Sequence, residues 1–478
     1  MASAAALLCG CAVYHAKPLP SSDSLLTQSA LSRVQIDPAK MPLPELAVHR
    51  FDPSNGFDME DVAMLAVANN PDLRLARDDL GIAQAQAFSA GLLPDPQVSI
   101  SSDYPGAAGF SRAFSYGLSM DVMAIVTRSA NRKSADAAVR KTDLGLLWQE
   151  WQVVAQARQL FVKARFQDEV LPLLAQQAQL SQTRYTRTAH AASERNMTAD
   201  TVTAALTAWQ DARKQYIDMQ HAREQTRHDL NALLGLAPDV DLPLTGTAEV
   251  EPVDASTLDA AVAMLAQRRP DLIALQAGYE AQEQKYRAAI LNQFPGLSVG
   301  FTRQRDTSEI YTSGFAINLT LPVFNRNRGN IAIEQATRQR LADEYQSRLN
   351  TAYADIAHLR ADNAIAAQQL AQDEAALPEL ERTAARAYNA YGARNIVLGQ
   401  YVDAQSAALA RRVDAATERE ALAEQRIALQ ALLGSAIPDP YAAAPASPGA
   451  TATPAAHDIA TGAATQSADA TTNTPATR

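Results

Sequence analysis

Between Phe315 and Leu321, large apolar residues alternate with small or polar ones: Phe315, Ile317, Leu319 and Leu321 against Ala316, Asn318 and Thr320. That is the period of a strand with two unlike faces. Three other segments repeat it. Val98, Ile100 and Tyr104 alternate with Ser99, Ser101 and Asp103. Phe114, Tyr116, Leu118, Met120 and Val122 alternate with Ser115, Gly117, Ser119 and Asp121, and Leu297, Val299 and Phe301 with Ser298, Gly300 and Thr302. The pattern predicts strands over about 96–104, 112–123, 297–305 and 312–321. Their length approaches the roughly nine to eleven residues of a tilted membrane strand. A soluble sheet with one face on a core is the alternative.

Elsewhere the period lengthens to that of helices. Apolar positions at Leu147, Trp151, Val154, Arg158 and Phe161 step by four and three, and Leu349, Ala352, Ile356, Leu359, Asn363, Ala366 and Leu370 repeat the alternation. Such steps describe coiled-coil seams, here rich in small residues that allow close approach. Each strand pair is followed by a predicted helix of about sixty residues, which at 1.5 Å per residue reaches roughly 90 Å. Pro172 and Pro378 lie within these long helices and are expected to kink or locally break them. Helices of about thirty residues, Met59–Gly91 and Leu258–Gln293, precede the strands, and Pro94 and Pro295 stop them.

The chain is a duplication. Pro71 recurs as Pro270, Arg195-Asn196 as Arg394-Asn395 and Gly235 as Gly434, each displaced by 199 residues, as 270 − 71 gives for the prolines. Pro94 and Gly117 return as Pro295 and Gly314 at nearly the same spacing. Each copy runs helix, two strands, long helix, a break at Arg-Asn, and a helix of about forty residues ending in Leu-Leu-Gly. The organisation read from this is an N-terminal extended segment (12–57), a first repeat (58–236), a connector (237–256), a second repeat (257–436) and a Pro-, Ala- and Thr-rich tail (437–478) expected to be disordered.

Four strands cannot close a conducting barrel, and an open sheet edge in lipid leaves backbone groups unpaired at several kcal/mol each. Self-assembly is therefore expected. Two copies would give eight strands with a filled interior, and three would give twelve with room for a lumen; periodicity does not choose between three copies and four.

Composition supports a thin, helical molecule. Hydrophobic residues are 47% of the chain but aromatics only 6%. The net charge of −10 excludes the basic surface that a nucleic-acid partner requires. No run of eighteen apolar residues offers a membrane helix. The two cysteines fall in Leu8-Cys9-Gly10-Cys11, after the apolar run Ala4–Leu8, and the stretch 1–11 resembles a bacterial lipoprotein signal with Cys11 as the acylated residue. An ordinary secretory signal is the alternative. No phosphate loop, His-x-x-x-His or nucleophile elbow occurs, so neither an enzyme nor a cofactor is expected. His221, Glu224 and His228 share a helical face, which for scattered histidines more often means solvation than a metal site.

Taken in order, Asn70-Pro71-Asp72-Leu73, Phe294-Pro295, the passage Pro322-Val323-Phe324-Asn325-Arg326-Asn327-Arg328-Gly329 and the Leu-Leu-Gly endings resemble the TolC family of outer-membrane efflux channels over about 58–436. The resemblance implies a mainly α protein with a membrane β-barrel portion. Two repeats of long coiled-coil helices and β-hairpins would form a homotrimer, with one twelve-stranded barrel and a periplasmic α-helical tunnel. It implies, further, a passive duct in a tripartite pump, partnered by a periplasmic adaptor, an inner-membrane transporter of the resistance–nodulation–division type and outer-membrane lipid. Pro322, Phe324, Asn325, Arg326 and Gly329 would mark the passage from membrane to tunnel. Arg195, Asn196, Gly392, Arg394 and Asn395 match the family's adaptor-contacting tips, the second copy more closely because Ser193 and Glu194 replace its Gly392 and Ala393. Asp200, Tyr388, Tyr391 and Asp403 lie near enough to form an entrance gate, or else a solvated helix face. The Phe-Asn-Arg-Asn-Arg-Gly form is similar to heavy-metal efflux members of the cobalt–zinc–cadmium type. Export of drugs or other small molecules would use the same architecture. A lipid-anchored periplasmic coiled-coil scaffold is the alternative from a different class.

Overall fold

In the computed structural model, residues 14–106 and 109–434 are described. The cysteines Cys9 and Cys11 and the tail 437–478 lie outside the described residues. The N-terminal segment carries two short helices, α1 (Gln28–Leu31) and α2 (Pro44–Val48), around a 3-10 turn at Pro38–Lys40. Then come α3 (Met59–Asn69), α4 (Pro71–Gly91), β1 (Gln97–Asp103), β2 (Ala113–Asp121), α5 (Val122–Ser193) and α6 (Ala199–Leu233). The second copy gives α7 (Ala255–Ala263), α8 (Leu265–Arg268), α9 (Pro270–Leu291), β3 (Gly296–Arg305), β4 (Tyr311–Thr320), α10 (Arg328–Gly392) and α11 (Leu398–Leu433).

Two expectations fail at the same place in each copy. The single helix expected over Met59–Gly91 is two, because Asn70 leaves the helical region (φ −54°, ψ 129°) and its side chain accepts from Leu73 N to cap α4, with Pro71 at the first helical position. The helix expected over Leu258–Gln293 is three, interrupted at Met264 and Arg269, again just before a proline. A residue preceding proline is pushed towards extended backbone, and that preference breaks both helices. The break has structural use. Asn69 Nδ2 donates to the carbonyls of Leu234 (2.6 Å) and Gly235 (3.2 Å), and Asn70 Nδ2 to Leu233 O (2.9 Å), satisfying the carbonyl end of α6. Arg268, the counterpart of Asn69, donates to Gly434 O (3.1 Å) at the end of α11.

Pro172 and Pro378 break neither long helix. α5 continues through the first for 72 residues and α10 through the second for 65. Those lengths correspond to about 110 and 100 Å.

The four strands form one antiparallel sheet in the order β1-β2-β3-β4. β2 stops at Asp121, whose carboxylate accepts from Met123 N (2.8 Å) and Ala124 N (3.2 Å), so Val122 and Met123 start α5 instead of ending the strand. Register aligns the apolar positions on one face: Val98 opposite Leu118, Leu118 opposite Phe301, Phe301 opposite Phe315, and Val299 opposite Ile317. The other face carries Ser99, Gly117, Thr302 and Gly314 in one cross-strand row. The apolar face is bare: Phe315 is 90% exposed, Val98 and Ile100 71%, and Ile317 67%.

The packed core sits along the middle of the helices. Phe161, Val162 and Phe166 of α5 meet Val62 and Leu65 of α3, Leu230 and Leu234 at the end of α6, and Ile427 of α11. Leu31 and Phe57 from the N-terminal segment and Val240, Leu242 and Val250 from the connector complete it. A second cluster, Leu258, Leu265, Leu272, Ile356, Leu429 and Leu433, repeats the arrangement in the second copy. Segments that read as an extended arm and a linker are thus core material. Beside this core Arg269 forms a bidentate pair with Asp271 (2.9 and 2.7 Å), Arg348 adds a third contact at 2.9 Å, and the Arg269 guanidinium lies 4.8 Å from the Trp148 ring centre. Burial alone would raise the Asp271 carboxyl, but the hydrogen bonds and charges of the two arginines outweigh it and hold it below its ordinary value.

Candidate functional site

At the end of the long helices away from the sheet, both copies turn in the same way. Asn196 N donates to Ala191 O (2.9 Å) and Arg195 N to Ala192 O (2.9 Å). Asn395 N donates to Ala390 O (2.8 Å) and Arg394 N to Tyr391 O (3.0 Å). Six-to-one and five-to-two bonds of this kind close a helix with one left-handed residue, normally glycine. Here that residue is arginine: Arg195 has φ 63° and Arg394 φ 62°. Gly392, the glycine nearest the second turn, is the last helical residue and does not take the left-handed position. A side chain in that conformation costs roughly 1–2 kcal/mol, and both copies carry the cost. The first tip adds bonds of its own, Ser193 Oγ to His190 O (2.7 Å) and Asn196 Nδ2 to Glu194 Oε2 (3.4 Å). Beside the turns, Met197 and Val397 are exposed.

Three to eleven residues up the helices from the turn arginines, a polar cluster joins the two copies. Arg184 of α5 donates to Asp403 Oδ1 of α11 at 2.6 Å, and Arg187 bonds the Tyr391 hydroxyl of α10. Tyr391 stacks on Tyr401 with ring centres 5.0 Å apart and planes 10° from parallel, while Tyr388 lies at 6.2 Å from the same ring. The structure thus brings Asp403, Tyr391 and Tyr388 together. Asp200 stands apart in the first turn of α6, fully exposed, its carboxyl lowered by hydrogen bonds from the Thr198 hydroxyl and nearby backbone N–H groups. Arg184, Arg187 and Tyr401 were missed from sequence. Their signal was depth: Arg184 lies eleven residues before Arg195 and Asp403 nine after Arg394, so both fall at about the same height above the turns.

The junction at Pro322–Gly329 is a run of turns. Arg326 (φ 47°) and Asn327 (φ 54°) are left-handed, Asn327 Nδ2 donates to Ala289 O (2.8 Å), and α10 starts at Arg328. Gly329 has ordinary φ and open space where a Cβ would sit, so its freedom is unused. Phe324 projects at 97% exposure, near Leu321 and Val323, both 62% exposed.

His221, Glu224 and His228 do not converge: Arg227 engages Glu224 at 2.9 Å and contacts His228. Among the described residues the gathered set is His49, Asp58 and Asp61, whose carboxylates serve as the capping box of α3. No helix among the described residues is long and apolar enough to cross a membrane.

Comparison with known proteins fits this geometry. Residues 261–435 match the family described as outer membrane efflux protein. No curated protein matches the chain by sequence. Solved structures with the fold include the CusC channel, at TM-score 0.64 and 20% identity over 83% of this chain and 97% of that one. The Campylobacter jejuni CmeC outer membrane channel gives 0.66 and 16% over 89% and 95%. The open state of the Neisseria gonorrhoeae MtrE outer membrane channel gives 0.62 and 20% over 79% and 89%. The second repeat carries the family's sequence signature, and the fold extends over both repeats. The fold expected from the motifs is the fold of these channels, and the match to the outer membrane efflux protein family lies in the second repeat.

Proposed function

We propose that this protein is an outer-membrane efflux channel and serves as the passive exit duct of a tripartite pump. Three copies would close one twelve-stranded barrel and one helical tunnel. The observation that carries the reading is the sheet. It has one bare apolar face, one face of serine, threonine and glycine, and outer strands β1 and β4 that each have a single partner within the chain. In water such a surface would aggregate. In lipid, only edge-to-edge closure with neighbouring copies satisfies it. A periplasmic scaffold has no use for an apolar face of that height.

The turns at Arg195-Asn196 and Arg394-Asn395 would meet the adaptor, since their strained backbone persists in both copies at an otherwise plain helix end. The cluster Arg184–Asp403, Arg187–Tyr391 and Tyr401 would hold the entrance narrow. Its pairs are partly exposed, and exposed pairs contribute no more than about 1 kcal/mol each, which suits contacts that must part during transport. Acylation at Cys11 would add an anchor to outer-membrane lipid. The inner-membrane partner would be of the resistance–nodulation–division type and would supply the energy.

Heavy-metal cations are the proposed cargo. Support comes from the Phe324–Gly329 sequence and from an acidic balance, 52 acidic against 42 basic residues, which raises cation concentration near the protein. The test has two parts. With Cys11 replaced by serine, the protein purified in detergent should run as a heat-sensitive trimer that conducts in planar bilayers; a water-soluble monomer would overturn the duct. A deletion strain should lose tolerance to zinc, cobalt or cadmium; unchanged metal tolerance with drug sensitivity would move the cargo to drugs.

A further inference from the structure

Along the apolar face of the sheet the side chains change with height. Nearest the helices lie Leu297, Val299, Leu319 and Ile317. Above them come aromatic rings: Phe114 packs edge-on against Tyr116 (5.5 Å) and Tyr311 (6.4 Å). Level with these rings stand arginines. Arg305 is in register with Phe114 and Tyr311, and Arg303 with Tyr116, so both point to the apolar side. Arg305 lies 5.0 Å from the Phe114 ring centre, and Arg112 lies 4.0 Å from that of Tyr104. Arg305 also donates to Arg112 O (2.8 Å), which ties the loop end of β2 to β3.

Among the described residues none of the three arginines is in an ion pair, and Arg305 Nε is buried without a partner. The nearby carboxylates bond or face elsewhere: Asp306 accepts from Ser308 N and Ile310 N, Glu309 accepts from the Ser111 hydroxyl, and Asp103 falls on the opposite face of the sheet, paired with Ala113. Three guanidinium groups outside any ion pair, two set among the rings of an aromatic belt and one just beyond it, with an apolar band below, form a surface with one complement. It is an anion carried on acyl chains. A free phosphate would leave the apolar band uncovered, and a neutral lipid would leave the arginines unmatched.

We propose that Arg112, Arg303 and Arg305 bind the phosphate of an acylated, phosphorylated membrane lipid, for which lipid A is the probe. Its chains would lie along Tyr116, Leu118 and Phe301. The proposal rests on the outer-membrane channel reading. Arginine suits the role because its planar fork grips phosphate with two parallel bonds and stays charged at any physiological pH.

The test uses the full-length trimer in detergent, with native mass spectrometry and titration of bisphosphorylated lipid A, dephosphorylated lipid A and inorganic phosphate. The expected result is saturable binding of the phosphorylated lipid. Affinity should fall about tenfold or more in the triple variant Arg112→Gln, Arg303→Gln, Arg305→Gln, with bilayer conductance unchanged. Lysine at all three positions should retain part of the affinity. Equal binding by wild type and triple variant, equal binding of the dephosphorylated lipid, or equal occupancy by inorganic phosphate would each overturn the proposal. Should the triple variant fail to assemble, Arg112→Gln and Arg303→Gln, both exposed, decide singly. A monomeric, non-conducting wild type would instead sink the channel reading.

Discussion

Arg184 and Asp403 stand 219 residues apart in the chain, yet the guanidinium donates to the carboxylate at 2.6 Å and joins the first long helix of one copy to the last helix of the other. The pair is partly open to solvent, with side chains 37% and 64% exposed, so it fixes an orientation more than it stabilises the fold. On the duct reading, Asp403→Ala should raise single-channel conductance severalfold in planar bilayers while changing unfolding free energy by less than about 1 kcal/mol. Unaltered conductance would remove this pair from the entrance.

At the second tip, Arg394→Gly places the residue suited to a left-handed turn where φ is 62°. Stability should rise by about 1 kcal/mol, read from thermal unfolding. Export should fall if the arginine side chain meets the adaptor, as a minimum-inhibitory-concentration assay would report. A gain in stability with undiminished export would confine Arg394 to a structural role.

Gly235 closes α6 at φ 62°, and a Cβ there would lie 2.6 Å from Asn69 Nδ2 and 2.8 Å from Asn69 O. Gly235→Ala should therefore cost more than the roughly 1–2 kcal/mol of left-handed strain, because the Asn69 bonds to the helix end must also shift. Denaturant titration checks it. Gly434→Ala should cost at least as much, because φ 74° with ψ 153° is a backbone region essentially reserved for glycine and a Cβ there would lie 3.1 Å from Arg268 O.

Burial and the charge of neighbouring Glu424 push Glu420 up to about 7, with Lys163 opposing. Its folded value lies above its ordinary value of 4.5, so the folded state binds more protons between the two. The stabilising contribution is complete below about 4.5 and is lost as pH rises through 7. The melting temperature should fall between pH 5.5 and 8.5 by an amount equivalent to roughly 1–2 kcal/mol, since the side chain keeps part of its water contact. Glu420→Gln should flatten that slope.

Neighbouring residues on β3 should respond oppositely to charge. Phe301, edge-on to Phe315 at 5.7 Å, lies on the apolar face; Thr302 lies on the other. Phe301→Arg should destabilise the assembled barrel by about 2–4 kcal/mol, while Thr302→Arg should assemble normally. Heat-modifiability on gels in outer-membrane fractions separates them. Matching losses would mean that the two faces are not lipid and lumen.

Much of this protein was written in local pattern. Alternation in steps of two set which strand residues share a face, steps of three and four set the seams, and a displacement of 199 residues revealed the duplication. Arg195-Asn196 and Arg394-Asn395 marked the turns, because a helix must close its last carbonyls within a few residues of its end. Local pattern also misled. Pro172 and Pro378 sit, exposed, in helices that run through them, and the breaks fell instead at Asn70 and Arg269, whose side chains have partners elsewhere to bind. Arg184, Arg187 and Tyr401 stayed hidden among many similar helical residues.

The sequence by itself determined periods, faces and the order of elements, since those depend on backbone geometry that repeats every two or 3.6 residues. Only the tertiary structure decided that Leu31 and Phe57 share a core with Val240, Val250 and Ile427, that β2 pairs with β3 to merge two hairpins, and that Arg184 meets Asp403. Those pairings join positions tens to hundreds of residues apart. They depend on which surfaces fit once the helices have formed, and no local repeat encodes that fit.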